Sequence, residues 1–94
     1  MTRPVVFLSG PITENIDYKR DFRRAERKMR KLGYIVLNPA RAPLGMRREQ
    51  YIYIDNAMLD VADVVCMLPG WENSDGAQAE YKRAEKQGKA IREL

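Results

Sequence analysis

Three short apolar runs, each followed within two residues by a proline or glycine, organise the chain. They are Val5–Ser9 (VVFLS), residues 34–37 (YIVL) and residues 64–68 (VVCML). Runs of this length that are rich in β-branched residues predict buried strands, and the breakers after them predict loops. A weaker run at residues 89–94 predicts a fourth strand. The chain therefore reads as strands at regular intervals with longer segments between them.

The segments between these strands have helical periodicity. The first predicts an amphipathic helix that Thr13 caps and Gly33 ends, since its apolar residues recur at spacings of three, four and three: Phe22, Ala25, Met29 and Leu32. The second predicts a helix over about 47–62, after a loop at 38–45, with one face traced by Tyr51, Ile54, Met58 and Val61. A third helix is predicted over about 75–87, before Gly88.

This order of elements predicts a single α/β domain over residues 1–94. Alternating strands and helices with right-handed crossovers give a parallel sheet covered on both faces. We expect a flavodoxin- or Rossmann-like three-layer sandwich with four parallel strands in the order 2-1-3-4. Ligands of such sheets bind at the carboxyl ends of the strands, at the switch point. Here that point lies between the loops at 9–13 and 68–76.

Composition narrows the function further. The 94 residues support only a small core, so a homo-oligomer, a dimer or larger, is expected. Eight of the 17 basic residues lie between Lys19 and Lys31 and fit the solvated faces of the first helix, so the net charge of +4 does not by itself indicate nucleic acid. The chain contains no histidine and one cysteine, Cys66. We predict no metal site, no cofactor, no nucleic-acid partner, no membrane partner and a cytoplasmic location.

The start of the third helix is a candidate anion site. Ser74 and Gly76 lie where free backbone N–H groups and the helix dipole favour negative charge. Asp75 followed by Gln78 also fits a simple capping box, which would need no ligand. Glycine in a first helical turn is disfavoured by roughly 1 kcal/mol relative to alanine, and this favours a group that approaches the backbone closely.

Glu80 is the leading candidate for chemistry. It lies three residues after Ala77 and four before Ala84, on or beside the stripe that should face the sheet. A salt bridge to an arginine is the structural alternative. Asp55 is the preferred second carboxylate. Asp63 directly precedes the third strand and is predicted to be a turn residue, and Asp60 has few apolar residues three or four positions away. Trp71 could stack on a base or only cover the pocket.

The sequence resembles the nucleoside 2-deoxyribosyltransferase-like superfamily, and is also similar to 2′-deoxynucleoside 5′-phosphate N-hydrolases. The matching segments span nearly the whole chain: FLSGPIT at 7–13, GYIVLNPA at 33–40, Asp55 eight residues before Asp63, and LPGWENSDGAQAEYKRA at 68–84. The resemblance implies that Glu80 attacks the anomeric carbon of a nucleoside and that Asp55 protonates or orients the departing base. Ser74, six residues before Glu80, implies a 5′-monophosphate substrate.

The expected function is therefore cleavage of the N-glycosidic bond of a (deoxy)nucleoside 5′-monophosphate, as an N-hydrolase or a deoxyribosyltransferase. The alternative is a protein that binds a nucleotide to sense or sequester it without cleaving it. This chain has Phe7 where many members of the superfamily have tyrosine, and Thr13 where some nucleotide hydrolases have arginine. The predicted substrate contacts lie in the loops and at the last helix: Ser9, Gly10, Pro11, Ile12, Asn38, Trp71, Ser74 and Gly76.

Overall fold

The computed structural model describes residues 2–94 as one α/β domain. The strands are β1 (Val5–Ser9), β2 (Ile35–Leu37), β3 (Val64–Met67) and β4 (Ala90–Glu93). The α-helices are α1 (Tyr18–Lys31), α2 (Arg48–Val61) and α3 (Asp75–Lys86). Two 3-10 turns, Pro39–Arg41 and Trp71–Asn73, follow β2 and β3. The predicted loop at 38–45 therefore contains one short helical turn.

The four strands form a parallel sheet in the order β2-β1-β3-β4, as the sequence predicted. In the register, Phe7 lies beside Leu37 of β2 on one side and beside Val65 of β3 on the other. The chain moves from β1 to one neighbour and then returns to the opposite one. The switch point therefore lies between β1 and β3, next to Ser9.

Side-chain alternation along β1 divides the core into two layers. Val6 and Leu8 pack with residues of α1, including Phe22 and Met29. Phe7 packs on the opposite face with Leu59, Ala77 and Ala84, which belong to α2 and α3. Ser9 follows Phe7 by two residues, so its hydroxyl points to the face that α2 and α3 cover.

The first helix begins later than predicted. Thr13 and Glu14 lie in a turn, Glu14 has a positive φ of 64°, and Asp17 occupies the N-cap position. Gly33, with φ of 96°, follows the C-cap residue as predicted. The Gly10-Pro11 loop continues through this turn before the helix can start, so Thr13 is not its cap.

The apolar face of α2 was also predicted wrongly in part. Leu59 is fully buried, whereas Val61 is 68% exposed and Ile54 is 38% exposed. Tyr51 and Met58 are half-buried. The helix contacts the sheet mainly near its carboxyl-terminal end, and much of its apolar surface faces outward.

Within residues 2–94, no helix combines the length and the apolar character that a membrane crossing requires.

Candidate functional site

The centre of the candidate site is a hydrogen bond between Ser9 and Glu80. The Ser9 hydroxyl donates to Oε1 of Glu80 at 2.6 Å, which joins the end of β1 to α3 across 71 residues of sequence. Ser9 is fully buried, and Ala77 and Ala84 are buried on either side of Glu80 along α3. Their small side chains leave room for a carboxylate against the sheet. Glu80 therefore does lie on the stripe that faces the sheet.

The surroundings of Glu80 favour its protonated form. Burial raises its pKa to about 7, and the nearby charge of Asp55 raises it too, while the hydrogen bond from Ser9 opposes both effects. A carboxyl group with its pKa near neutrality can exist in either protonation state under ordinary conditions. Such groups are typical of catalytic sites, although structural sites also contain them.

Asp55 is the second perturbed carboxyl group of this region. It is half-buried on α2, and burial raises its pKa to about 6. The structure therefore places two carboxyl groups with raised pKa values close enough for one charge to affect the other. This is an arrangement in which one group can act as a nucleophile or base while its neighbour holds a proton.

The hydrogen-bond and ion-pair partners of Glu80, Asp60 and Asp63 distinguish a site residue from a structural one. In the described part of the chain, none of the ion pairs includes Glu80, so the salt-bridge alternative is not what the structure shows. Asp60 instead receives two hydrogen bonds from Arg83, at 2.8 and 2.7 Å, which tie α2 to α3. Asp63 accepts from the backbone N–H of Val5 at 2.8 Å. Both therefore have structural partners.

The start of α3 has a serine cap. Ser74 is the N-cap residue, and its hydroxyl oxygen accepts from the backbone N–H of Ala77 at 3.3 Å. The predicted capping box between Asp75 and Gln78 is wrong, because the Gln78 side chain donates to the carbonyl oxygen of Glu72 instead. Ser74, rather than Asp75, is the N-cap residue because its backbone is extended, as this position requires.

Gly76 lies on the open side of this helix start. A methyl group built on its α-carbon would meet no atom within 4 Å. Packing inside the protein therefore does not explain the glycine. A ligand that approaches the first turn of α3 would explain it.

The loop after β1 is held against the loop after β3. A β-carbon on Gly10 would lie 2.8 Å from Cβ of Leu68, so only glycine fits there without a shift. Pro11 approaches Gly70 on the same side, and Ile12 packs against the core beneath α1. These contacts fix the backbone on which Ser9 lies. Substrate contacts by Gly10, Pro11 and Ile12 stay predictions.

Trp71 packs against α3. Its ring stacks on Tyr81 with centroids 4.6 Å apart, and its indole N–H donates to Glu93 at 3.0 Å. The two rings help to line a cavity of about 340 Å³ that includes neither Glu80 nor Asp55. The structure shows Trp71 packed on Tyr81 and hydrogen-bonded to Glu93, and both alternatives for its role, stacking on a base and covering the pocket, stay predictions.

Asn38 takes part in a cluster around Glu26, a buried carboxylate that sequence reasoning missed. The Asn38 amide donates to Glu26 at 3.0 Å, and its carbonyl oxygen accepts from the N–H of Ala40. Arg41 donates two further hydrogen bonds to Glu26, and its guanidinium keeps the pKa of that carboxyl low. Asn38 therefore fastens the turn after β2 to α1, and a contact with substrate stays a prediction.

The sequence did contain a signal for Glu26. It lies four residues after Phe22 and three before Met29, so it shares the buried stripe of α1 that these residues define.

A metal-binding cluster of three or more histidine, cysteine or acidic residues does not occur in residues 2–94.

Comparison with known proteins adds one match. A family model with the description "Domain of unknown function (DUF4406)" matches residues 4–93. No curated protein matches the chain.

Proposed function

The chain belongs to the family described as a domain of unknown function (DUF4406), and we propose that it cleaves the N-glycosidic bond of a (deoxy)nucleoside 5′-monophosphate. The observation that carries this proposal is a pair of neighbouring carboxyl groups: Glu80, which Ser9 holds at the end of β1, and Asp55, whose charge acts on Glu80. Their pKa values are raised to about 7 and about 6. The resemblance to nucleoside 2-deoxyribosyltransferases supports the same assignment.

In the proposed reaction, ionised Glu80 attacks the anomeric carbon of the sugar. The C–N bond breaks, its electron pair leaves with the base, and protonated Asp55 donates its proton to that base. Water then attacks the glycosyl-enzyme ester, passes a proton to Asp55 and releases the sugar phosphate. In a transferase a second base would take the place of water. These are the roles of paired carboxylates in retaining glycosidases.

Ser9 has a positioning role in this mechanism. Its hydroxyl holds Oε1 of Glu80 at 2.6 Å and lowers the pKa of that carboxyl group. This hydrogen bond increases the fraction of Glu80 that is ionised, and it fixes the carboxylate so that the second oxygen can attack. A strand end is a rigid support for such a contact.

The proposed reaction should show a narrow pH optimum. It requires one proton on the pair, with Glu80 ionised and Asp55 protonated. Because the pKa of Glu80 is the higher of the two, this form is the minor tautomer, roughly a tenth of the singly protonated pair, and its share does not change with pH. The two groups lose their protons near pH 6 and pH 7, so the singly protonated pair is most abundant between these values. We expect a bell-shaped rate profile for the free enzyme with a maximum between about pH 6 and pH 7.

The start of α3 supports a phosphate on the substrate. Ser74 provides a neutral hydroxyl where an aspartate would repel a phosphate, and the helix start provides N–H groups and a favourable dipole. Gly76 leaves its first turn open. The proposed substrate is therefore a 5′-monophosphate, which fits a cytoplasmic protein of nucleotide metabolism.

The deciding experiment is a search for released base. Deoxy- and ribonucleoside 5′-monophosphates are incubated with the protein and separated by chromatography, with and without a second base as acceptor. We expect at least one nucleotide to release its base, and Glu80→Ala to release none. Glu85→Ala, at an exposed glutamate of the same helix, is the matched control and should retain activity. A panel of nucleotides left intact by the wild-type protein would refute the proposal.

One observation favours the alternative, a protein that binds a nucleotide without cleaving it. Phe7 stands where many members of the superfamily have tyrosine, and its ring is fully buried in the core between the sheet and α2 and α3. It therefore supplies no hydroxyl group to a substrate. Under this alternative, a nucleoside monophosphate would raise the unfolding temperature and be recovered intact. Base release would exclude it.

A further inference from the structure

The two faces of the sheet are covered unequally. Core residues on one face come from α1, whereas those on the other face come from both α2 and α3. A helix is about 10 Å wide and neighbouring strands lie about 4.8 Å apart, so one helix covers roughly two strands. The α1 face of the sheet therefore has an open margin near β4.

A groove occupies this margin. It encloses about 310 Å³, close to the lower end of the size of small-molecule sites. Residues of α1 form one wall, and Leu94, whose N–H continues the ladder to Met67, lies at the other side. The floor of the groove is apolar and is formed by Pro11, Ala25, Leu68 and Pro69.

Two cations of α1 line this groove. Arg24 and Lys28, one helical turn apart on α1, line it directly. Arg92 of β4 lies beside Cys66 and faces the same side of the sheet, but it does not line the groove, and its guanidinium donates to the Tyr34 hydroxyl at 3.4 Å.

These cations have no acidic partner among the described residues. None of the ion pairs formed within residues 2–94 includes Arg24, Lys28 or Arg92. The one acidic side chain of the groove, Asp21, already contacts Arg20 and accepts a hydrogen bond from Asn15. The groove thus combines an apolar floor with the positive charges of Arg24 and Lys28, and in the described part of the chain no acidic side chain pairs with them.

We propose that this groove binds a small phosphorylated molecule that has an apolar body. The Arg24 guanidinium and the Lys28 ammonium together suit a doubly charged phosphate better than a single carboxylate, because a guanidinium fork binds two phosphate oxygens and the ammonium balances the second charge. The apolar floor of the groove suits the apolar body of the ligand.

This site lies on the opposite face of the sheet from Glu80, and Pro11, a predicted substrate contact of the Glu80 site, also lines the groove. Ser9, which holds Glu80, points to the α2 and α3 face, whereas the groove opens on the α1 face. Binding in the groove therefore needs neither Glu80 nor an N-glycosidic bond.

The test uses phenyl phosphate as the probe, because it has an apolar ring and a phosphate but no sugar. Phenol is the neutral control. In titrations followed by amide NMR, we expect phenyl phosphate to shift the signals of Ala25 and Leu68, and phenol at the same concentration to leave them unchanged. Glu80→Ala should bind the probe as the wild type does.

The variants are matched in charge and spacing. Arg24→Ala with Lys28→Ala should weaken binding about tenfold or more, since each removes a charge-assisted contact. Arg23→Ala with Arg27→Ala, also one turn apart on α1 but on its exposed surface, should leave binding within about twofold, since neither residue lines the groove. Equal losses in both pairs would show general charge attraction and overturn the proposal. If the first pair fails to fold, the wild-type shifts decide: changes confined to residues outside the groove would also overturn it.

Discussion

Glu80→Gln, which keeps the shape of the side chain but removes its charge, is expected to make the protein more stable than wild type at alkaline pH. Burial raises the pKa of Glu80 from 4.5 to about 7, so the folded protein retains a proton that the unfolded chain has already lost between these values. Unfolding free energy therefore falls as the pH rises from about 4.5 to about 7. The change in pKa corresponds to roughly 3 kcal/mol, which is the upper limit of the loss.

Glu80→Gln removes this loss, because an amide has no proton to release in this range. Its carbonyl oxygen can still accept the hydrogen bond from Ser9. At about pH 4.5, where folded Glu80 is protonated, wild type and variant should have similar stability. At about pH 8.5 the variant should be more stable, by up to roughly 3 kcal/mol.

The measurement is urea denaturation of both proteins across this pH range. Glu85→Gln is the control, because Glu85 is exposed on the same helix and its replacement should change stability little at any pH. The reasoning is refuted if the difference between Glu80→Gln and wild type is the same at every pH. It is also refuted if the variant is the less stable protein at about pH 8.5.

Three further predictions concern other parts of the molecule. Gly76→Ala should raise stability by up to about 1 kcal/mol, because the added methyl meets open space in a helix, yet weaken binding of a nucleoside 5′-monophosphate; unchanged affinity in a calorimetric titration would remove Gly76 from the proposed site. Glu26→Gln should lower the unfolding free energy by about 1–3 kcal/mol near pH 7, because it weakens the contacts with Arg41. Since the pKa of Glu26 is lowered from 4.5, its contribution is lost as the pH falls below that value, and denaturation curves of the two proteins should converge in acid. Finally, Val61 and Tyr53 are 68% and 79% exposed on α2, and we expect a second copy of the chain to cover them; sedimentation should show an oligomer that Val61→Glu dissociates, and a monomeric wild type at high concentration would contradict this.

The strand order and the position of Glu80 followed from local patterns in the sequence. The apolar runs were short and each ended in a breaker, and right-handed crossovers left few arrangements of four parallel strands. Glu80 was recognisable because Ala77 and Ala84 share its helix face. The hydrogen bond from Ser9 depends on strand alternation and on the approach of α3, which no single segment encodes.

Other features needed the folded chain. The start of α1 was misplaced because Thr13 is a good cap by residue type, while the path of the Gly10-Pro11 loop decides where the helix can begin. The outward apolar face of α2 was missed because periodicity shows that residues share a face but not what the face meets. Glu26 was overlooked because a buried glutamate is rare without partners. Arg30 lies on the same helix, but Asn38 and Arg41, which complete the hydrogen bonds of this glutamate, follow β2.

The contact between Ser9 and Glu80 also has a consequence for how the sheet assembles. Side chains of a strand alternate between its two faces, so a slip of β1 by one residue would move Ser9 to the other face. Glu80 would then meet Leu8 or Gly10, neither of which has a side chain that can donate a hydrogen bond. The buried carboxylate therefore penalises the shifted pairings of β1, and it helps to specify the native alignment before any ligand is bound.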